Sequence, residues 1–174
     1  MNITITGGAG YVGTSLIPLL LSKNYKVKVL DNLMFGGDQL LPFFLNKNFE
    51  FQKGDVRNKD DVNKAIKDAD VIIHLAAIVG YPACRKEPEL AKSVNVDGAK
   101  NVSSLASKNQ LIIYASTGSN YGSVDDVCTE ETPLNPLSLY GQTKTLAESI
   151  LLKNNIPFCY SFWCLAKIET RSVN

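Results

Sequence analysis

The first residues of the chain place a β-branched run directly before a glycine-rich turn. Residues 3–6 are Ile-Thr-Ile-Thr, typical of a buried strand, and Gly7-Gly8-Ala9-Gly10-Tyr11-Val12-Gly13 follows before a helical pattern begins. Glycines allow a tight strand-to-helix turn, and Gly13 lets the helix pack closely on the strand. The free N–H groups and the positive end of the helix dipole then face a space in which the phosphates of a dinucleotide can bind.

A second strand that ends on an acidic residue supports this interpretation. Residues 26–30 are predicted to form that strand, and Asp31 closes it. A carboxylate at this point accepts hydrogen bonds from the ribose hydroxyls of adenosine and repels a 2′-phosphate. The pattern therefore favours NAD over NADP, with a βα turn that binds nothing as the alternative.

Length, charge and hydropathy restrict the class of protein. A chain of 174 residues can bury one core, and we expect a single domain. The net charge of +1, with acids and bases interspersed, predicts no binding to nucleic acid or to an anionic membrane. The longest apolar run, residues 71–81, is too short to span a bilayer, and the first strand leaves no room for a signal peptide. We therefore expect a cytoplasmic protein.

The cysteines show no pattern of a metal site or a redox disulfide. None of the four forms a CxxC pair, and the chain has one histidine. We predict no metal and expect reduced, mostly buried thiols at Cys84, Cys128, Cys159 and Cys164.

Strand and helix patterns alternate along the rest of the chain. Further strands are predicted at residues 49–53, 71–75, 111–115 and 158–163, and helices at 59–67, 88–106 and 138–153. This alternation is the βαβ pattern of an α/β protein, a doubly wound parallel sheet (Rossmann fold) of about six strands. Residues 35–48 receive no firm assignment. Residues 118–135 follow the carboxyl end of the fifth strand, where such sheets place their ligand crevice.

Tyr140 and Lys144 are candidates for acid–base chemistry. They are four residues apart on a predicted helix, so both side chains lie on one face. A neighbouring ammonium and an oxidised nicotinamide would lower the pKa of the phenol toward the range of a general base. The alternative is an exposed helix pair. Hydroxyl side chains in residues 114–122, after the fifth strand, could hydrogen-bond a reacting substrate oxygen.

Taken in order, these motifs resemble those of the extended short-chain dehydrogenase/reductases, the NAD-dependent epimerase/dehydratase family of nucleotide-sugar enzymes. The resemblance covers residues 1 to about 158 and includes His74-Leu75-Ala76-Ala77 and Tyr140-Gly141-Gln142-Thr143-Lys144. It implies NAD as the cofactor, a nucleotide sugar as the substrate, and allows a homodimer. The cofactor-binding residues that it implies are Gly7, Gly10, Tyr11, Val12, Gly13, Asp31, Asn32, Asp55, Val56, Leu75, Ala76, Ala77, Asn95, Tyr140 and Lys144.

The resemblance also implies roles in the reaction. Thr117, Tyr140 and Lys144 fall on the catalytic positions, and Ser116, Thr117, Gly118 and Ser119 on the loop that meets the substrate. In the dehydratase branch an aspartate and a glutamate follow the threonine. Gly118 and Ser119 cannot act as carboxylic acids, so 4,6-dehydration is disfavoured. Epimerisation, reduction of a keto-sugar and simple dehydrogenation remain as the reactions that the resemblance allows.

Three other sets of residues have simpler interpretations. His74 is predicted to be packed and neutral rather than an acid–base group. Arg85 could contact an anion, but a turn that leads into the long helix is favoured. Acidic residues 125, 126, 130 and 131 are predicted to form a solvated loop face.

The end of the chain departs from the family pattern. Residues 164–174 do not match the arginine- and glycine-bearing segment that the resemblance implies there. We therefore predict an NAD-binding Rossmann domain at residues 1–163, an atypical tail at 164–174 and no substrate-binding lobe, as in a truncated or frame-shifted reading frame. Cofactor binding is then expected to survive better than catalysis. A non-catalytic NAD-binding module and a reductase of non-sugar substrates are the alternatives.

Overall fold

A six-stranded parallel sheet forms the centre of the molecule. The computed structural model describes residues 1–124, 127–129, 131–154 and 156–161. The order of the strands in the sheet is β3-β2-β1-β4-β5-β6, and every adjacent pair is parallel. The strands are β1 (Asn2–Thr6), β2 (Lys26–Asp31), β3 (Phe49–Lys53), β4 (Val71–His74), β5 (Leu111–Ala115) and β6 (Phe158–Ser161).

Helices connect successive strands. They are α1 (Tyr11–Ser22), α2 (Lys59–Ile66), α3 (Tyr81–Lys86), α4 (Pro88–Lys92), α5 (Gly98–Leu105) and α6 (Leu139–Lys153). A π turn at Ser93–Asp97 joins α4 to α5, and short 3-10 helices lie at Asp38–Phe43 and Gly118–Asn120. Among the described residues, no helix is both long enough and apolar enough to cross a membrane.

The predicted elements are confirmed to within one or two residues over the described chain. The helix predicted at 88–106 exists, but a π turn interrupts it. Ser138 caps α6, because its hydroxyl oxygen accepts a hydrogen bond from the Gly141 N–H at 3.0 Å. The last two residues of the predicted sixth strand, 162 and 163, lie outside the described residues, as does the predicted tail at 164–174.

Both faces of the sheet are covered by apolar side chains. Successive residues of β4 point to opposite faces, so Ile72 packs with α2, α5 and α6, whereas Ile73 packs with α1. Val102 and Ala147 belong to the first core, and Ile17 belongs to the second. This two-sided burial confirms the doubly wound arrangement predicted from the sequence.

The strand order creates a crevice at one end of the sheet. The chain first runs outward through β2 and β3, then returns to the other side of β1 and continues through β4 to β6. The loops after β1 and β4 therefore diverge at the carboxyl ends of adjacent strands, where open α/β sheets bind ligands.

Candidate functional site

The crevice contains a cavity of about 580 Å³ between the strand ends, the glycine turn and α6. The structure brings to it every residue that the sequence predicted to bind the cofactor, except Asn95. These residues are Gly7, Gly10, Tyr11, Val12, Gly13, Asp31, Asn32, Asp55, Val56, Leu75, Ala76, Ala77, Tyr140 and Lys144. Their role in binding stays a prediction.

The glycine turn has no room for side chains. Gly7 has a φ of +71°, and a Cβ atom there would lie 2.6 Å from main-chain atoms of Ala76. A Cβ atom at Gly13 would lie 2.4 Å from the carbonyl oxygen of Gly8. The predicted close contact of Gly13 is therefore made with the turn itself rather than with the body of β1, because α1 begins directly against the Gly8 main chain.

The first turn of α1 faces the cavity without a side-chain cap. Gly10 precedes the helix and offers no capping side chain, and the first turn contains no acidic residue. Its N–H groups and the positive end of the helix dipole are thus available to an anion. Together with the glycine packing, this arrangement fits the diphosphate of a dinucleotide.

Asp31 joins the glycine turn to the loop after β2. Its Oδ2 accepts a hydrogen bond from the Ala9 N–H at 3.0 Å, and its Oδ1 accepts one from the Leu33 N–H at 2.8 Å. A carboxylate has about four acceptor positions, so these two bonds leave room for ribose hydroxyls. The position of Asp31 at the end of β2 and on the wall of the cavity agrees with the predicted ribose contact.

Asp55 is held in a charged cluster at the same end of the cavity. The Nε and Nη2 atoms of Arg57 donate to its two carboxylate oxygens at 2.9 and 2.6 Å, and the Asn32 amide donates to Oδ2 at 3.2 Å. Arg57 hydrogen bonding, which outweighs the effect of burial, lowers the pKa of Asp55 to about 2. The carboxylate is therefore ionised and fixed in orientation. Sequence reasoning missed Arg57.

Tyr140 lies on the wall of the cavity, and the Thr117 side chain is close enough to affect its pKa. The catalytic roles of both residues stay predictions. Burial raises the pKa of Tyr140, the Thr117 side chain opposes that rise, and nearby Cys84 adds to it. The phenol is consequently neutral at pH 7 in this arrangement.

Lys144 contacts a residue that the sequence did not single out. Its Nζ lies 4.0 Å from the centroid of the Tyr114 ring, and the Tyr114 hydroxyl donates to the Lys144 carbonyl oxygen at 3.3 Å. Burial lowers the pKa of Lys144 to about 7, and the charge of Glu148 opposes this change. Because the ammonium lies over the aromatic face of Tyr114, Lys144 is not among the groups that shift the pKa of Tyr140 here. That Lys144 and an oxidised nicotinamide lower this pKa stays a prediction.

The four predicted substrate residues have different environments. Ser116 is buried. Its Oγ donates a hydrogen bond to Glu148 Oε2 at 2.5 Å and accepts one from the Asn120 amide at 3.0 Å. Ser116 also lines the cavity, so its predicted contact with the substrate stays a prediction, although its hydroxyl already bonds Glu148 and Asn120. Gly118 and Ser119 are exposed in the 3-10 turn, which Thr117 caps by accepting the Ser119 N–H.

Asn95 lies behind the wall of the cavity rather than on it. Its Oδ1 accepts the Ile78 N–H at 2.7 Å, and its Nδ2 donates to the Ile78 carbonyl and to Thr143 Oγ1 at 3.1 and 3.0 Å. The side chain is only 2% exposed. Asn95 therefore holds the loop after β4 against α6 and does not line the cavity, and its contact with the cofactor stays a prediction.

The simpler interpretation of His74 agrees with the structure, whereas Arg85 lies on the short helix α3 rather than in the predicted turn. His74 is buried, its Nδ1 is 2.6 Å from Thr6 Oγ1, and burial together with the charge of Lys144 lowers its pKa to about 3. It is therefore neutral. Arg85 lies exposed on α3 and donates to the Tyr81 hydroxyl at 3.2 Å.

The predicted acidic loop face and the predicted thiols are only partly covered by the structure. Glu131 is exposed, whereas residues 125, 126 and 130 lie outside the described residues. Cys84 is a buried free thiol and Cys128 an exposed one. The side chain of Cys159 and all of Cys164 also lie outside the described residues.

Sequence reasoning also missed Glu148 and Tyr114. Glu148 follows Lys144 by four residues, so the helical spacing that paired Tyr140 with Lys144 already placed a carboxylate on the same face. Tyr114 gave no such signal, because a tyrosine in a buried strand is ordinarily part of the core.

Comparison with known proteins agrees with the geometry of the site. The sequence model of the NAD dependent epimerase/dehydratase family matches residues 3–160. A Methanocaldococcus jannaschii protein provisionally named UDP-glucose 4-epimerase is 35% identical over 158 residues, which are 86% of this chain and 49% of that protein. The chain spans about half the length of the curated relatives it matches.

Solved structures of two different enzymes share the fold. The UDP-glucuronic acid 4-epimerase of Bacillus cereus, in complex with UDP-glucuronic acid and NAD, superposes with a TM-score of 0.84 and 29% identity over 92% of this chain and 55% of that chain. The dTDP-glucose 4,6-dehydratase of Streptomyces venezuelae, with NAD bound, superposes with a TM-score of 0.85 and 25% identity. The match covers 93% of this chain and 55% of that chain. NAD, predicted from the glycine turn and Asp31, is thus the cofactor of these neighbours. With its sheet, its cofactor crevice and a family match over residues 3–160, the chain belongs to the NAD-dependent epimerase/dehydratase family.

Proposed function

We propose that this chain binds NAD in the crevice and carries the proton-transfer side chains of a nucleotide-sugar epimerase. The observation that carries the proposal is one shared cavity: Tyr140 and Lys144 line the same space as the glycine turn and Asp31. A cofactor held by the turn and by Asp31 would therefore extend toward the candidate acid–base residues.

The residues of the cavity fit a dinucleotide. The glycine turn and the uncapped first turn of α1 would hold the diphosphate, and Asp31 would hold the adenosine ribose. Tyr140 and Lys144 lie on the part of the wall formed by α6 and would face the nicotinamide ribose. The volume of about 580 Å³ lies within the usual range for cofactor sites.

The chemistry assigned to this chain is proton transfer at a sugar hydroxyl. NAD, when bound, supplies the acceptor and donor of hydride. Tyr140 accepts the proton of the hydroxyl when the sugar carbon is oxidised, and it returns a proton to the carbonyl oxygen when that carbon is reduced. The Thr117 hydroxyl holds the same oxygen.

The environment of Tyr140 favours one half of this cycle. Because burial raises its pKa, the phenol is protonated at pH 7 and ready to protonate a carbonyl oxygen. Oxidation requires the phenolate, which a nearby positive charge stabilises. Lys144, one helical turn away, supplies that charge if its side chain leaves the Tyr114 ring.

The side chains around the cavity favour epimerisation over dehydration. Elimination of water needs an acid and a base near the sugar. The carboxylates that line the described cavity are Asp31, which is proposed to hold the adenosine ribose, and Asp55, which lies at the same end of the cavity beside Asn32. Gly118 and Ser119, which follow Thr117, have no carboxylate. An epimerase and a dehydratase share this fold, so the choice between the two reactions is argued from these residues and not from the fold.

The test separates cofactor binding from turnover. Titration with NAD and with NADP, followed by calorimetry, is expected to show saturable binding that is tighter for NAD. Incubation with NAD and UDP-glucose is expected to yield the 4-epimer, and incubation with dTDP-glucose to yield no dehydrated product. Absence of NAD binding would refute the proposal. NAD binding without conversion of any sugar nucleotide would favour a non-catalytic NAD-binding module instead.

A further inference from the structure

A buried carboxylate lies behind the loop that carries Thr117. Glu148 is 7% exposed, and its Oε2 accepts hydrogen bonds from Ser116 Oγ at 2.5 Å and from Asn120 Nδ2 at 3.1 Å. Asn120 is fully buried and also donates to Ser116 Oγ at 3.0 Å. Glu148, Ser116 and Asn120 thus form a closed three-membered cluster, here called the Glu148 cluster.

The Glu148 cluster fixes both ends of a short segment. Ser116 and Asn120 are the residues on either side of residues 117–119, so one carboxylate anchors the start and the end of the turn that presents Thr117. The main chain also joins this turn to the segment that precedes α6, because the Asn120 carbonyl accepts the Asn135 N–H at 2.9 Å. The loop after β5 is therefore held onto α6 through Glu148.

Helical spacing places the same carboxylate beside the candidate catalytic residues. Tyr140, Lys144 and Glu148 follow one another at intervals of four residues in α6, and therefore lie along one face. Glu148 itself does not line the cavity. Any influence on the reaction must therefore pass through the loop or through Lys144.

We propose that Glu148 is a positioning residue, which holds the Thr117 segment on α6 and so sets the contact between Thr117 and Tyr140. The inference rests on the function proposed above. Burial of a carboxylate is costly unless hydrogen bonds satisfy it, and both bonds of Glu148 go to this one loop.

Glu148 also acts on Lys144 through its charge. The titratable groups that interact with Lys144 are His74 of β4, Tyr114 of β5 and Glu148 of α6. Burial lowers the pKa of Lys144, and the charge of Glu148 raises it again. A residue that only filled space would have no such effect.

Two variants separate the hydrogen bonds from the charge. Ser116→Ala removes two hydrogen bonds of the cluster, to Glu148 and from Asn120, and leaves the charge. Glu148→Gln removes the charge and leaves an acceptor oxygen. Exposed Glu89→Gln, which loses a surface ion pair with Lys92, is the matched control. All are compared as the full chain without added ligand, by amide hydrogen exchange and by NMR titration of lysine side chains labelled at Cε. The signal of Lys144 is the one missing from Lys144→Met.

In Ser116→Ala, amides of residues 117–121 are expected to exchange about tenfold faster, while those of β1 and β2 and the Lys144 titration stay unchanged. In Glu148→Gln, the Lys144 midpoint is expected to fall by about one pH unit. Glu89→Gln should match the original protein. Unchanged exchange in Ser116→Ala, or an unchanged midpoint in Glu148→Gln, would overturn the inference. Because neither measurement uses NAD or a sugar, failure of the proposed function would appear separately, as absent NAD binding.

Discussion

The Nζ atom of Lys144 lies 4.0 Å from the centroid of the Tyr114 ring, and the Tyr114 hydroxyl donates to the Lys144 carbonyl oxygen. The pair joins α6 to β5 through one charge contact and one hydrogen bond. A buried cation over an aromatic face is stabilised by about 2 kcal/mol. Burial nevertheless lowers the pKa of Lys144 to about 7, so the charged form is less favourable in the folded protein than in the unfolded chain.

We expect Lys144→Met to stabilise the protein at neutral pH. The pKa of Lys144 is about 7 when folded, against 10.5 when unfolded, so the unfolded chain binds the proton more tightly. Burial of charged Lys144 destabilises the folded protein to its full extent below pH 7. This destabilisation disappears as the pH rises toward 10.5, where the unfolded chain also loses the proton. The free energy of unfolding should therefore rise by about 4 kcal/mol at pH 7 and by about 1 kcal/mol at pH 10. Urea unfolding at several pH values measures it.

The control for this prediction is Lys92→Met, which removes an exposed lysine with a surface ion pair to Glu89. Its free energy of unfolding should change by less than about 0.5 kcal/mol at either pH. A loss of stability in Lys144→Met at pH 7 would show that the Tyr114 contact and the Glu148 charge outweigh burial.

We expect Tyr140→Phe to separate cofactor binding from chemistry. The ring still fills the wall of the cavity, but the hydroxyl proposed to transfer the proton is lost. Loss of a general acid–base group lowers turnover by about 10²- to 10⁴-fold. Conversion of a sugar nucleotide should fall by that factor, while NAD affinity, measured by calorimetry, stays within about threefold.

Tyr25→Phe is the matched control, because Tyr25 is half-buried and lies away from the cavity. It should change neither turnover nor NAD affinity. Turnover that persists unchanged in Tyr140→Phe would remove the phenol from the proposed chemistry.

The fold was predictable because its signals are local. Runs such as Ile3 to Thr6 and Ile112 to Ile113 within residues 111–115 are β-branched or apolar, and the alternation with helical patterns leaves few topologies. The π turn at Ser93–Asp97 was not predictable. It coincides with Asn95, whose side chain bonds Ile78 and Thr143, residues 17 and 48 positions away.

The site was predictable where the main chain forms it and less so where side chains do. Gly7 and Gly13 are required by packing that any residue with a Cβ atom would disturb, so the sequence indicates them directly. Ser116 and Lys144 could each face the ligand or a neighbouring side chain. In the structure Ser116 bonds Glu148, and Lys144 lies over the Tyr114 ring. Such choices follow from tertiary packing, which spacing along one helix does not report.

We expect Asp31→Asn to reduce the preference for NAD over NADP. The change removes a charged acceptor at the end of β2, and with it the repulsion of a 2′-phosphate. Hydrogen bonds to a charged group contribute about 1.5 to 3 kcal/mol, so NAD affinity should fall about 10- to 100-fold. NADP affinity should fall less or rise. Separate calorimetric titrations with the two dinucleotides measure the ratio.

Asp38→Asn, an exposed residue outside the cavity wall, is the control and should leave both affinities unchanged. Because Asp31 also holds the Ala9 and Leu33 N–H groups, thermal unfolding of both variants shows whether the loop has collapsed. Equal losses of NAD and NADP affinity in a stable Asp31→Asn protein would contradict the assignment of Asp31 to the ribose.

The last prediction concerns Gly13→Ala, which tests the glycine turn itself. The new Cβ atom would lie 2.4 Å from the Gly8 carbonyl oxygen and 2.5 Å from its Cα atom, so α1 or the turn must move. Overpacking of this kind costs about 1 to 3 kcal/mol in the free energy of unfolding. The movement would also shift the N–H groups of the first turn away from the proposed diphosphate site. Urea unfolding and NAD titration should both show a loss.

Gly118→Ala provides the matched substitution, because no atom lies within 4 Å of a Cβ built there and its φ is not positive. Its free energy of unfolding should stay within about 0.5 kcal/mol of the original. The comparison isolates the steric requirement at Gly13 from the general effect of replacing glycine with alanine, which reduces the freedom of the unfolded chain in both variants. If Gly13→Ala were as stable as Gly118→Ala and bound NAD equally well, close packing at Gly13 would not be what shapes the site.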